Sequence, residues 1–240
     1  MGLTTSRPKR NLFKTIGLSV LLLLGTGCLT TPPVPVIPEA RAQPGFCEKT
    51  DAEIRHFVIE MNVKGFTSAT AVATTLGGRM LILTNRHNLP EEIFLEDISL
   101  RNNKYQYSNV AGIIQTGSSY AMQQGLSTAN DYAILVPVKP HIFNPLPLYF
   151  SRYSGEVVVP SYAARLYTVG RGNQWHTDNL FDRLDVFLDK GASGAPVLTC
   201  EGEIAGLYTA LIRPEDFERA GFKAISTPSV TIIEHIKQQN

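Results

Sequence analysis

Lys190-Gly191-Ala192-Ser193-Gly194-Ala195-Pro196 decides the fold when it is read with Thr84-Asn85-Arg86-His87 and Asn130-Asp131-Tyr132-Ala133-Ile134-Leu135 ahead of it. The three stretches supply a histidine, an acid and a serine, in that chain order. A serine hydroxyl is a weak nucleophile at neutral pH until an adjacent base takes its proton. His87 is the candidate base. Asp131 would hold the other ring nitrogen and stabilise the imidazolium that forms. Gly191 can take a backbone angle closed to most residues, so that its N–H and that of Ser193 converge on a developing oxyanion.

The flanking residues read as strands and loops. Residues 80–83 are a short apolar run, a buried strand that delivers His87 at its end, and 132–138 read the same way after Asp131. Val197-Leu198 and residues 204–209 form a hairpin behind Ser193, with Glu201-Gly202 as its turn. The histidine-first order contradicts an α/β-hydrolase, whose nucleophile precedes its histidine, and Gly191-Ala192-Ser193-Gly194-Ala195 is not Gly-x-Ser-x-Gly. An esterase of that kind is therefore set aside.

Five segments in register carry a resemblance: Leu83-Thr84-Asn85-Arg86-His87, Asn130-Asp131-Tyr132-Ala133-Ile134-Leu135, residues 185–196, Gly202-Glu203-Ile204-Ala205-Gly206 and Gly221-Phe222-Lys223-Ala224-Ile225. On them the chain resembles a trypsin-like serine peptidase of the chymotrypsin fold, and it is most similar to bacterial HtrA/Deg-type protease domains. The likeness spans most of residues 55–240. It implies an all-β fold of two six-stranded antiparallel β-barrels, one over about 50–140 and the other over about 145–226, with a C-terminal α-helix at 228–238. It also implies a cleft between the barrels, with His87 and Asp131 on the first and Ser193 on the second. The expected activity is that of a serine endopeptidase acting on polypeptides through an acyl-enzyme, without cofactor or metal. The expected unit is a protease domain alone, without a PDZ domain.

Patterning agrees with this architecture. β-rich runs at 54–61, 94–100 and 156–159 recur between turn signals. One helix stands out, begun by Thr227-Pro228-Ser229 with proline at its first position and with Val230, Ile233 and Ile236 on one face.

Several residues depart from the family pattern. Ala192 precedes the nucleophile where pancreatic-type enzymes carry an aspartate that pairs with a newly cut N-terminus, so activation by that salt bridge is not expected. Ala195 replaces the usual second glycine and adds only a methyl, which the turn should tolerate. Arg86 reads as an exposed arginine on the cleft rim. The span between Gly170 and Asp185 is shorter than in HtrA-type domains, which puts activation-loop regulation in doubt. These departures leave a second class of function open, a pseudoprotease that keeps the fold as a peptide-binding module. A group misplaced by an ångström costs about two orders of magnitude in rate.

At 240 residues and 43% hydrophobic, the chain can bury the core of one two-barrel domain. A net charge of +1, with no basic stripe interleaved with aromatics, argues against nucleic-acid binding. The one dense basic run, Ser6-Arg7-Pro8-Lys9-Arg10 with Lys14, precedes an apolar stretch at 16–24, the layout of a signal sequence too short for a comfortable membrane span. Residues 1–42 thus read as a signal sequence and a Pro-rich spacer, and 43–240 as the peptidase domain. Ala40-Arg41-Ala42 has the form of a cleavage site. A lipidated Cys28 or an uncleaved signal would instead tether the chain to a membrane, and all three outcomes mean export, to the periplasm or the extracellular space. Cys47 and Cys200 then remain as an even pair in an oxidising compartment, either bridged or two unrelated thiols. No Cys or His cluster has metal-ligand spacing.

His56, His141, His176 and His235 lie outside the matching segments and read as surface or packing residues. Asp97, Asp178, Asp182, Asp185 and Asp189 are rivals of Asp131, but only Asp131 sits in an Asp-x-Ala-Ile-Leu strand, and Asp185 reads as a brace for the loop before the nucleophile. Counting back from Ser193 places Phe187 and Leu188 at the base and wall of the primary pocket, with Thr209, Ala210 and Leu211 opposite. No acid falls at that base, so the expected residue before the cut is Val, Ala or Leu rather than Lys or Arg. Residues 206–211 should offer a strand edge to substrate. Nothing in the sequence argues for a particular oligomeric state.

Overall fold

Apolar residues on both faces of a strand mean that both faces are covered, and most strands of this chain read that way. The computed structural model describes residues 45–65, 68–117, 131–163, 165–177 and 181–238. The first barrel is built from β1 (Val58–Val63), β2 (Ala69–Leu76), β3 (Arg79–Thr84), β4 (Ile98–Arg101), β5 (Tyr107–Thr116) and β6 (Ala133–Pro137). It closes in the order β1-β2-β3-β6-β5-β4. The second uses β7 (Gly155–Ala163), β8 (Leu166–Trp175), β9 (Asp182–Leu184), β10 (Pro196–Thr199), β11 (Ile204–Leu211) and β12 (Ala224–Pro228), in the order β10-β11-β12-β9-β8-β7. All neighbouring strands within each barrel are antiparallel. The expected fold class is the one observed.

Successive side chains on a strand point to opposite faces, and here the two faces serve two cores. On β3, Ile82 enters the first barrel with Met61, Leu100 and Leu135, whereas Leu81 and Leu83 face outward into a third cluster. On β7 and β10, Val157, Val159 and Val197 fill the second barrel while Val158 and Leu198 turn to that same third cluster. The third cluster joins Val72, Leu83, Ile134, Leu198, Ile204 and Leu207, and so packs barrel against barrel. Gly77 and Gly78, at φ +57° and +76°, make the tight β2–β3 hairpin, where two consecutive positive φ values favour glycine.

Local structure departs from the sequence reading in three places. The run at 54–61 is strand only from Val58. Ahead of it lies a helical turn, α1 (Asp51–Ile54), held by a capping box in which Thr50 and Glu53 satisfy each other's backbone N–H groups. In the run at 94–100, Leu95–Asp97 is a 3-10 turn and the strand begins at Ile98. The terminal helix, α3 (Ser229–Gln238), starts one residue later than expected, because Pro228 still pairs with Gly206 as the last residue of β12. Its buried apolar residues are Ile232 and Ile233, supported by Ile236, and Val230 is only half-buried. A short helical turn, α2 (Phe217–Ala220), lies between β11 and β12 and ends on Gly221 in the left-handed conformation.

Cys47 and Cys200 form a disulfide that ties the segment entering α1 to the β10–β11 turn. Phe46 packs where Gly202 has no side chain, and its N–H donates to the Cys200 carbonyl at 2.6 Å. The signal-like segment, Cys28, Ala40-Arg41-Ala42, Asn130 and Asp178 lie outside the described residues. Among the described residues no helix is long and apolar enough to cross a membrane.

Candidate active site

The three candidate residues sit where strands end. His87 lies in the 3-10 turn Arg86–Asn88 that follows β3, Asp131 lies two residues before the start of β6, and Ser193 occupies the turn before β10. β3 and β6 are paired, with Thr84 opposite Ala133, so the histidine and the acid leave adjacent strands side by side. Asp131 is fully buried. One of its carboxylate oxygens accepts the His87 backbone N–H at 3.0 Å, and the other lies 2.5 Å from His87 Nδ1. The carboxylate therefore fixes both the main chain and the ring of the histidine, and it selects the tautomer with a proton on Nδ1. The imidazole remains about one-quarter exposed, facing the cleft.

A polar network behind this pair crosses from one barrel to the other. Asn85 Nδ2 donates to the Asp131 carbonyl at 2.6 Å and to Thr209 Oγ1 at 3.2 Å. Thr209 Oγ1 also accepts the Thr227 N–H at 3.0 Å and donates to the Leu207 carbonyl at 2.9 Å. Thr209, expected as a pocket wall, thus has its hydroxyl turned toward the acid. Asn85 entered the sequence reading only as context for His87, and its hydrogen bonds make it a positioning residue of the site.

The serine loop is held by both barrels. The Ser193 carbonyl accepts Asn88 Nδ2 at 2.9 Å and the Thr70 N–H at 3.2 Å, both from the first barrel. The Gly194 N–H donates to the Tyr208 carbonyl at 2.9 Å, within the second. Gly194 has φ +86°, and a Cβ there would lie 2.2 Å from the Thr70 carbonyl oxygen and 2.4 Å from Thr84 Oγ1, so no other residue fits. Ala195 is fully buried among second-barrel side chains, and its methyl is accommodated as packing. Gly191 has φ +101°. Neither its N–H nor that of Ser193 meets an acceptor among the described residues. The Ser193 hydroxyl donates to the Thr209 carbonyl at 3.2 Å, and among the described residues no hydrogen bond joins it to His87.

Beside the serine lies an open recess of about 310 Å³, lined by residues 188–193 on one side and 208–211 on the other. It includes Leu188, Thr209, Ala210 and Leu211 from the expected set. Phe187 is not among its walls: along 187–188 the chain alternates, Leu188 turning inward and Phe187 outward, 46% exposed, with its ring edge-on to Phe217 at 5.9 Å. Asp189 and Lys190 contribute a charge of each sign from exposed positions, and Tyr208 reaches the recess from below; the sequence reading had none of these three.

Other expectations resolve around the site. Arg86 is half-buried rather than free on the rim, because its guanidinium donates to the carbonyls of Leu89 (2.8 Å) and Pro90 (3.0 Å) and so locks the loop after His87. Asp185 pairs with Lys223 at 2.7 Å, joining the stretch before the nucleophile to the approach to β12. Asp182 is buried between Arg152, His176 and Gln174, and burial raises its pKa, with the His176 and Arg152 contacts opposing the shift. His235 contacts the Tyr132 hydroxyl, and His56 contacts Asn103. Among the described residues the one grouping with metal-ligand geometry is Cys47, Glu156 and Cys200, and its two sulfurs are bonded to each other.

Two closed six-stranded barrels with these loops between them define a chymotrypsin-like fold. The crystal structure of the serine endoprotease from Yersinia pestis is similar, with a TM-score of 0.60 and 18% sequence identity over 79% of this chain. The match covers 66% of that protein, so the chain spans just under two thirds of its length. No family model and no curated protein matches the sequence.

Proposed function

We propose that the protein is an exported serine endopeptidase that hydrolyses peptide bonds through an acyl-enzyme on Ser193. The observation that carries this reading is the His87–Asp131 pair at 2.5 Å, with Ser193 on the facing loop and the Gly191 and Ser193 amides beside it without acceptors among the described residues. In the proposed cycle Ser193 Oγ attacks the scissile carbonyl while His87 Nε2 takes its proton. The proton then goes to the leaving amine, and a water activated by the same nitrogen releases the acyl group. The Asp131 carboxylate steadies the imidazolium. The negative charge that develops on the carbonyl oxygen is met by the two amides, and losing one such donor costs roughly 100- to 1,000-fold.

Attack requires the Ser193 hydroxyl to leave the Thr209 carbonyl and turn to His87. Catalytic hydrogen bonds are commonly loose before substrate binds. Substrate would add a strand along 209–211, beside the recess, and not along the whole of the expected 206–211, because Gly206 and Leu207 already pair with β10 on one side and β12 on the other. The recess supports a small or medium apolar residue before the cut, since its charged members, Asp189 and Lys190, are exposed rather than at its inner end. Export is supported by the N-terminal basic-then-apolar layout and by the Cys47–Cys200 bridge, a bond characteristic of oxidising compartments.

A peptide library incubated with residues 43–240 tests the reading. Cleavage products are expected from the wild type, with His87→Ala and Ser193→Ala reduced to background. Equal cleavage by wild type and Ser193→Ala would refute the role given to the serine.

A further inference from the structure

Tyr208 is the residue of the recess that the peptidase reading leaves unexplained. Its neighbours on β11 have clear roles, Leu207 in the core between the barrels and Thr209 in the network behind Asp131. The backbone of Tyr208 is clamped to the nucleophile loop on both sides, its N–H donating to the Ala195 carbonyl (2.8 Å) and its carbonyl accepting the Gly194 N–H (2.9 Å). Alternation then turns the side chain into the core of the second barrel, in the buried cluster that also holds Leu188, Ala192 and Ala195. Only 2% of the residue is exposed, yet it contributes to the lining of the recess.

The ring carries a hydroxyl into this buried space. It is buried and has no hydrogen-bond partner among the described residues. It nevertheless comes close to the Leu188 main chain and senses the Asp189 charge, and burial pushes its pKa up to about 12, so it stays a neutral phenol. Leu188 and Asp189 belong to the wall opposite β11. Tyr208 and the pair Leu188–Asp189 thus line the same recess from its two sides. Burying an unpartnered hydroxyl is costly, and phenylalanine or leucine would fill a core position without that cost.

We propose that Tyr208 is the size-determining residue of the primary pocket: its ring closes the inner end of the recess and limits the residue before the cut to a short side chain. The proposal rests on the peptidase reading for its meaning and adds the element that sets preference. Alanine, valine, serine and threonine fit above the ring, whereas phenylalanine, tyrosine and methionine collide with it. The limit comes from the ring and not from the hydroxyl.

The test is a set of peptides identical except for Ala, Val, Leu or Phe before the cut, with kcat/KM measured for wild type, Tyr208→Phe, Tyr208→Val and Tyr208→Ala. Hydrophobic pockets discriminate by roughly 10- to 200-fold for small differences in side-chain size. Wild type is expected to favour Ala and Val over Phe by at least about tenfold. Tyr208→Phe should keep that order whatever its absolute rate, and Tyr208→Val or Tyr208→Ala should reverse it. Thermal melts of all four proteins identify any variant that fails to fold, and the valine variant retains more of the packing than the alanine. Wild type that accepts Phe as well as Val, or a folded Tyr208→Val that keeps the original order, overturns the proposal. If wild type cleaves nothing, the peptidase reading fails. The size limit is then read separately, from chemical-shift titration of Ser193→Ala and Tyr208→Val/Ser193→Ala with product peptides ending in Val or Phe. A Val preference that the second substitution abolishes upholds the proposal, and equal binding of both peptides overturns it.

Discussion

Replacing Cys47 and Cys200 together by serine removes the one covalent link between the N-terminal segment and the second barrel. The residues are 153 apart in sequence, with Cα atoms 4.8 Å from each other. In the chain-entropy model, closing a loop of that length removes about 5 kcal/mol of denatured-state entropy at 25 °C. Measured losses for native bridges run at about 2–5 kcal/mol, and the lower part applies here because the segment keeps other anchors. The Phe46 ring still packs over Gly202 and against Phe57 at 5.2 Å, the Phe46 N–H still donates to the residue-200 carbonyl, and the capping box of α1 is untouched. At about 2–4 °C per kcal/mol for a domain of this size, a loss of about 2–3 kcal/mol lowers Tm by roughly 4–12 °C. The assay is thermal unfolding followed by circular dichroism, with and without dithiothreitol. Wild type in reductant should fall toward the double variant, and the double variant should be indifferent to reductant. A double variant within about 2 °C of wild type, alongside a wild type unmoved by reductant, would refute the reasoning, because a bridge worth about 2 kcal/mol must shift Tm by more than that.

Three further outcomes follow from the geometry. Gly194→Ala forces a methyl against the Thr70 carbonyl at a positive φ, so the serine loop must shift; kcat/KM on any cleaved peptide should drop by at least about 100-fold, the scale of an ångström misplacement, and an active, folded variant would contradict the placement of this turn. Thr209→Val preserves shape but deprives Asn85 Nδ2 and the Thr227 N–H of an acceptor, so urea unfolding should show a loss of about 1–3 kcal/mol, accompanied by a fall in kcat larger than any change in KM. Asp182 has a folded pKa raised above its unfolded value, so the folded state holds its proton more tightly; stability from this group is greatest below the ordinary aspartate range near 4 and is lost as pH rises through the raised value. Unfolding free energy measured from pH 3 to 7 should show that descending component in wild type, and Asp182→Asn should remove it.

The architecture was legible because its signals are local. The order His87, Asp131, Ser193, the glycines around the serine, and the apolar runs that feed them are all short-range patterns, and they mark strand ends. The apolar runs also concealed something, since alternation cannot show which face serves a barrel interior and which serves the contact between barrels; Ile82 and Leu83 look equivalent in sequence and belong to different cores. Short helical turns were missed where a β-rich composition dominated, although the Thr50-x-x-Glu53 spacing before β1 was a readable capping signal. The pocket was the least legible part. Phe187 and Leu188 differ by one step of alternation, and counting backwards from Ser193 does not say which one turns inward. Tyr208 and Asn85 owe their places to contacts between segments far apart in sequence, and Arg86 owes its burial to two carbonyls in the loop that follows it.

The central claim is that Ser193 is a nucleophile activated by His87. Its most direct test is labelling of residues 43–240 with a serine-directed fluorophosphonate, with the adduct mapped by mass spectrometry in wild type, Ser193→Ala and His87→Ala. A single adduct on Ser193, absent from both variants, is the predicted result. Wild type that labels no more than Ser193→Ala, or an adduct on Ser193 that persists undiminished in His87→Ala, would contradict the account.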